Sequence, residues 1–198
     1  MTVILHVSDA HCATQTLKRI VESVSYDILV SSGDFECVDT AEAFLGFGGK
    51  LVAVTGNLDN PSIYRLLSDA GVAIDGRMVD LLGLRFAGVG GLDVASNISS
   101  MSRLEPGMVD VLVSHHPPKG ILDRPLIGVS AGLSELKSLV DRVKPRLHLF
   151  GHIHESPGYV RVSGTIHVNP GPVLQGRYAV IDLDVEASVR LARVNHYL

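Results

Sequence analysis

Short apolar runs alternate with amphipathic stretches along the first part of the chain. Val3 to Val7 reads as a buried strand and stops at Ser8-Asp9-Ala10-His11. Leu17, Ile20, Val21 and Val24 then recur at helical offsets. Asp27 to Val30 predicts a second strand, ending at Ser31-Ser32-Gly33-Asp34. Ala41 to Phe47 predicts a short helix, stopped by Gly48-Gly49. Leu51 to Val54 is a third strand, ending at Thr55-Gly56-Asn57-Leu58-Asp59. Asn60 as cap and Pro61 at the first helical position open a further helix, with Ile63, Leu66 and Leu67 as its buried stripe and Gly71 as its stop. Strand, helix, strand, helix, strand implies a parallel α/β layer.

The texture then changes. Met78 to Leu82 and Leu84 to Val89 read as paired strands around Gly83. Ile98 to Gly107 is polar and fits helix or loop. Val109 to Val113 predicts a strand ending at Ser114-His115-His116-Pro117-Pro118. Lys119 to Val129 has no clear period and reads as a surface loop. Gly132 to Val143 is helical, with Leu133, Leu136, Leu139 and Val140 on one face. Arg146 to Phe150 predicts another strand, which runs into Gly151-His152-Ile153-His154. Strands follow at Gly158 to Val162, Thr165 to Val168, Tyr178 to Leu183 and Ala187 to Val194, with Asp184-Val185-Glu186 as a hairpin connection. No repeat or linker divides the chain, so one domain over residues 1–198 is expected, built as two β-sheets packed together with helices outside.

Composition narrows the function classes. A net charge of −4 argues against a surface that grips nucleic acid through its phosphates. No apolar stretch approaches the roughly 18 residues of a membrane span. Met1 to His6 lacks a basic segment followed by a long apolar one, so no signal peptide is expected and the cytoplasm is the default location. Two cysteines, Cys12 and Cys37, indicate no disulfide framework, and each reads as a small buried hydrophobe.

The chemistry lies where the apolar runs stop. Five of them end in candidate ligands: Asp9 and His11, Asp34, Asn57, His115, then His152 and His154. Ligands of open α/β sheets gather at the carboxyl ends of strands, so neighbouring strands would bring these side chains together. All are nitrogen or oxygen donors, and seven are too many for one tetrahedral zinc. They suit two metals of octahedral leaning with one carboxylate between them. Singly, each has a plainer explanation as a helix cap, a turn residue or a structural histidine. One metal site explains all five strand ends at once.

Asp9-Ala10-His11, Gly33-Asp34, Gly56-Asn57, Ser114-His115-His116-Pro117-Pro118 and Gly151-His152-Ile153-His154 resemble, in order and spacing, the five blocks of calcineurin-like metallophosphoesterases. Asn169-Pro170-Gly171-Pro172 and Gly176-Arg177-Tyr178 are similar to the small phosphodiesterase branch of that superfamily. The resemblance implies a four-layer α-β-β-α sandwich of two mixed sheets flanked by helices. Carried over by position, Asp9, His11 and His154 would bind one metal, Asn57, His115 and His152 a second, and Asp34 would bridge them. Manganese comes first among the ions implied, with iron, zinc, nickel and cobalt compatible. Two such cations carry +4 and the two aspartates subtract two, so the site would attract a small phosphate ester. A water between the metals would be acidified toward hydroxide and attack phosphorus in line.

One position departs from the pattern. Many relatives have His where this chain has Leu58, and that His is thought to protonate the leaving group. General acid assistance is typically worth about 10²–10⁴-fold, so its loss disfavours poor leaving groups. His116 is the substitute acid the sequence offers, and Asp59 is a candidate support for a ligand histidine or a cap for the next helix. The expected activity is hydrolysis of phosphodiesters. A phosphomonoesterase, a nucleotide pyrophosphohydrolase and a catalytically weak scaffold are the alternatives. His6 reads as a core or supporting residue, and His148 is expected to face the opposite side of its strand from Leu147 and Leu149. Lys119 and Arg124 read as solvated charges, Arg177 could meet a substrate phosphate, and His167 and His196 have no motif around them.

Overall fold

The computed structural model describes residues 2–126, 128–184 and 187–194. In chain order the elements are β1 (Thr2–Val7), α1 (Thr14–Glu22), β2 (Ile28–Ser31), α2 (Val38–Leu45), β3 (Lys50–Ala53), α3 (Pro61–Asp69), β4 (Met78–Leu81), β5 (Leu84–Val89) and α4 (Val94–Ser100). Then come β6 (Val111–Ser114), α5 (Ser134–Val143), β7 (Leu147–Leu149), β8 (Gly158–Val162), β9 (Thr165–Asn169), a 3-10 turn at Val173–Gln175, β10 (Arg177–Leu183) and β11 (Ala187–Arg193). They form a five-stranded sheet in the order β11-β10-β1-β2-β3 and a six-stranded sheet in the order β4-β5-β6-β7-β9-β8. Both are mixed. β1, β2 and β3 are parallel in the first, as are β5, β6, β7 and β9 in the second.

Alternation along each strand divides the apolar residues between layers. Ile4, Ile28, Val30 and Val52 of the first sheet meet Phe86, Val111, Val113, Leu147 and Leu149 of the second in the space between them. The intervening residues Leu5, Leu29 and Ala53 face outward onto Leu17, Ile20, Phe44, Ile63 and Leu67 of α1, α2 and α3. Leu112 of the second sheet faces Leu136, Leu139, Val140 and Val143 of α5. Each fully buried Leu, Ile or Phe contributes roughly 1.5–3 kcal/mol of apolar burial, so a residue slipped by one register would exchange core for helix contacts. His148 follows the alternation expected of it. It pairs in register with Leu112 and His167, away from the space between the sheets.

Several boundaries differ from the sequence expectation. α2 begins at Val38 and ends at Leu45, with Gly46 as its cap. The stretch from Ile98 to Gly107 is mostly turn and loop; α4 starts before it, at Val94, where the Asp93 side chain accepts the Ser96 N–H at 3.1 Å, and ends at Ser100. None of its residues is fully buried, which is why periodicity gave it no stripe. Asn60 caps α3 as expected, accepting from the N–H groups of Ser62 and Ile63. Residues 119–129 hold no helix or strand among those described. The buried Asp123 gathers that loop by accepting from Gly120 N–H, Gly132 N–H and the Ser130 hydroxyl. Val185 and Glu186 of the hairpin connection, and His196, lie outside the described residues.

The cysteine expectation is corrected. Cys12 and Cys37 form a disulfide, with Cα atoms 5.1 Å apart. Cys12 is exposed and Cys37 half-buried, so neither fills the core. The bond ties the loop after β1 to the loop after β2, a pairing set by the parallel neighbourhood of those strands. Among the described residues no helix is long and apolar enough to cross a membrane.

Candidate metal centre

The parallel registers bring the strand ends level. Val7 is aligned with Ser31 and Ser31 with Ala53 in one sheet, and Val89 with Ser114 and Val113 with Leu149 in the other. The loops leaving these ends hold one another through main-chain hydrogen bonds. Asp9 N–H donates to Gly33 O at 2.9 Å, His11 N–H to Asp34 O at 3.0 Å, and Gly151 N–H to His115 O at 3.1 Å. The backbone is forced into the left-handed region at Asp9 (φ 55°), His11 (43°), Asp34 (57°) and His152 (68°). Such conformations cost of order 1–3 kcal/mol each for residues with a side chain, and they cluster at functional sites. Two glycines are required by close approach. A Cβ on Gly56 would strike the Asp34 carboxylate, and one on Gly151 would strike Ser8 and Asp9.

Two donor clusters result: Asp9, His11 and His154 in one, Asp34, His115 and His152 in the other, each with its donor atoms within 4.8 Å of one another. In the first, His11 Nε2 lies 3.1 Å from His154 Nε2, and His154 Nε2 lies 3.4 Å from Asp9 Oδ1. In the second, His115 Nε2 is 3.4 Å from Asp34 Oδ2 and 2.8 Å from Asn57 Oδ1. Asp34 also receives the Leu58 N–H at 2.8 Å. The seven residues singled out from sequence thus lie at these strand ends, six of them in the two clusters and Asn57 against His115.

The tautomers test whether cations fit. His115 Nδ1 is 2.9 Å from the Ser32 carbonyl, which can only accept. His11 Nδ1 is 3.0 Å from the Glu36 carboxylate. In the neutral ring each Nδ1 carries the proton, so each Nε2 presents a lone pair to the cluster. His115 Nε2 then turns its lone pair toward the Asn57 carboxamide, and His11 Nε2 toward the His154 ring. Donors converging around a point are what divalent cations require, and the nitrogen and oxygen set suits first-row transition metals.

Electrostatics agree with a site prepared for positive charge. Burial would raise the Asp9 carboxyl, but its hydrogen bond to His154 and the nearby His115 outweigh it and hold it at about 2. The same hydrogen bond to Asp9 raises His154. Burial, then the neighbouring His115, lowers His152. His116 is lowered to about 3, by burial first and then by His115 and His152. Its ring centroid is 4.5 Å from that of His152 and 5.1 Å from that of His115. Leu58 is 51% exposed at the mouth of the site, where it offers no proton.

Asp59 is neither helix cap nor histidine partner in this arrangement. Its carboxylate accepts from Gly56 N–H at 2.7 Å, Glu36 N–H at 2.8 Å and Asp34 N–H at 3.1 Å. It therefore fastens the loop carrying Asp34 to the loop carrying Asn57. Asp59→Ala should cost about 3 kcal/mol or more, because buried N–H groups lose a charged acceptor. It should also weaken metal retention. Urea titration and metal content after dialysis check both, and wild-type stability in the variant would contradict this role.

Sequence reading missed the supporting residues. Glu36 is the chief one, and an acidic residue two positions after Asp34 was the available signal. Ser32 acts through its carbonyl, which no side-chain pattern reveals. Ser114 donates its hydroxyl to the His116 carbonyl at 2.7 Å and accepts from His148 Nε2 at 2.8 Å, while His148 Nδ1 lies 3.2 Å from His167 Nδ1. This buried chain braces the loop bearing His115 from behind the sheet.

Nitrogen and oxygen donors at the convergent ends of two packed mixed sheets define a candidate metal site on an α-β-β-α fold. The chain belongs to the calcineurin-like phosphoesterase superfamily, whose domain profile matches residues 1–186. Over 68 residues it is 47% identical to the Homo sapiens protein called metallophosphoesterase domain-containing protein 1, covering 33% of this chain and 21% of that one. The chain spans well under half the length of the curated relatives it matches, 38% of one and 21% of another. Among solved structures, the TT1561 protein of Thermus thermophilus shares the fold with a TM-score of 0.71 at 15% identity, over 98% of this chain and 99% of that one. A protein described as a novel archaeal phosphodiesterase shares it with a TM-score of 0.57 at 17% identity, over 96% and 99%.

Proposed function

We propose that this chain hydrolyses phosphodiesters with the help of two divalent transition-metal ions. The observation that carries the reading is the convergence of six metal-ligating side chains in two adjoining clusters, with Nε2 of His11 and of His115 directed into them. Asp9, His11 and His154 would hold one ion, and Asn57, His115 and His152 the other, with Asp34 shared. Manganese is the first candidate, with iron, zinc, nickel or cobalt as substitutes. Bound there, such ions acidify a water toward hydroxide and offset charge on the phosphate oxygens. The chain's own residues do the rest. Glu36 and the Ser32 carbonyl keep His11 and His115 in the tautomer that leaves Nε2 free. Asp59 keeps the two loops in register, and His116 supplies a neutral imidazole wall.

Diesters are favoured over monoesters because Leu58, at the position where many relatives carry the leaving-group acid, has no proton to offer. The archaeal neighbour described as a phosphodiesterase points the same way. The test is hydrolysis of mono- and diesters with one matched aryl leaving group, in protein loaded with each metal in turn. The diester should react faster, and Leu58→His should raise the alkyl monoester rate by about tenfold or more. A wild type that prefers the monoester would overturn the diester assignment.

A further inference from the structure

His116 borders a second space. Its ring packs against those of His152 and His115, in the metal centre. The same residue lines a cleft of about 400 Å³ whose remaining walls are Val94, Ala95 and Ile98 of α4, with Leu133 and Glu135 at the start of α5. That volume lies within the roughly 300–1,000 Å³ of small-molecule pockets. Among the described residues, the only polar side chain on it apart from His116 is the exposed Glu135. His116 thus borders both the metal centre and the cleft.

We propose that this cleft receives an uncharged apolar or aromatic ester arm of the phosphodiester, and that Val94, Ala95, Ile98 and Leu133 select for it. The assignment rests on the phosphodiesterase reading given above. The chemistry of the walls excludes the alternatives. An arm carrying a second phosphate would bring its charge toward Glu135 and onto apolar walls that cannot solvate it. A monoester would leave the cleft unfilled and gain nothing from it. An apolar arm removes water from α4, where Val94 and Ile98 are only partly buried. The aromatic ring of His116 suits the same occupant.

The test uses the metal-loaded full chain and bis(p-nitrophenyl) phosphate, whose two arms are both aromatic. Ala95→Trp fills the cleft from an exposed position that the fold does not depend on, and Ile98→Asp places a charge in it. Both should raise KM by about tenfold or more, the range a hydrophobic pocket commands. The inhibition constant of inorganic phosphate, which has no arm, should stay at the wild-type value. Unchanged KM in both variants overturns the cleft while leaving the phosphodiesterase reading intact. A parallel rise in KM and in the phosphate constant also overturns it, because the substitutions would then act through the metals. A metal-loaded wild type inactive on every diester overturns the reading and this proposal together.

Discussion

Asn57→Ala and His115→Ala should each lower metal-dependent hydrolysis of an aryl phosphodiester by on the order of 10³-fold. The two side chains face each other at 2.8 Å, with His115 Nδ1 directed at the Ser32 carbonyl. Under the proposed assignment, removing either takes a donor from the same ion. The fold should hardly suffer in Asn57→Ala, since that side chain is exposed. His115 is fully buried, and its loss leaves a cavity and an unpaired Ser32 carbonyl, so His115→Ala should be less stable as well as inactive. Metal analysis of the dialysed proteins separates the two effects. Asn57→Ala should keep wild-type thermal stability without metal yet retain fewer than the wild-type number of ions. Equal activity in both variants, and in wild type after chelation, would contradict the mechanism.

Acid should destabilise the metal-free protein through its buried histidines. His6, His148 and His167 are buried, and burial is the main cause in each case: His6 is lowered to about 3, His167 to about 4, and His148 well below the ordinary value. Each stays neutral in the folded chain, whereas the unfolded chain takes up a proton as pH falls through about 6.5. The unfolded state then binds more protons, so stability falls with falling pH by up to about 1.4 kcal/mol per unit per histidine. Between pH 6.5 and 5 that is roughly 1.6 kcal/mol each, because the unfolded histidine is already half protonated at the upper limit. Asp59 and Asp75, whose carboxyls burial pushes up, act in the opposite sense. The cleaner measurement is therefore a difference. Urea titrations at pH 7 and pH 5 should show a smaller acid loss in His167→Gln than in wild type. An identical loss in the two proteins would rule His167 out as a contributor.

The strands were legible because their apolar runs are short and their turns are marked by glycine. The runs at Val3, Asp27, Leu51, Val109 and Arg146 each lie within about two residues of a real strand, and each leads into a donor loop. α4 was obscure because no residue of it is fully buried, so it carries no stripe to read. The donors could be read because they stand at strand ends. Their supports could not. Glu36 and Asp59 act on groups 25 and 23 positions away, through contacts that exist only after β1, β2 and β3 align. The disulfide escaped for the same reason: Cys12 and Cys37 share nothing in sequence beyond following two such loops.

The left-handed backbone at Asp9, His11, Asp34 and His152 has a thermodynamic corollary. Four such residues store about 4–12 kcal/mol, as much as the whole stability margin of an ordinary domain. The sheets beneath must supply that surplus, and any laxity in them would let the loops relax and the donors splay. Sturdiness and catalytic readiness are thus opposed at these positions. Replacing any of them by glycine would ease the chain while emptying it of chemistry, so a search for heat-resistant variants would drift toward inert ones unless activity were selected alongside.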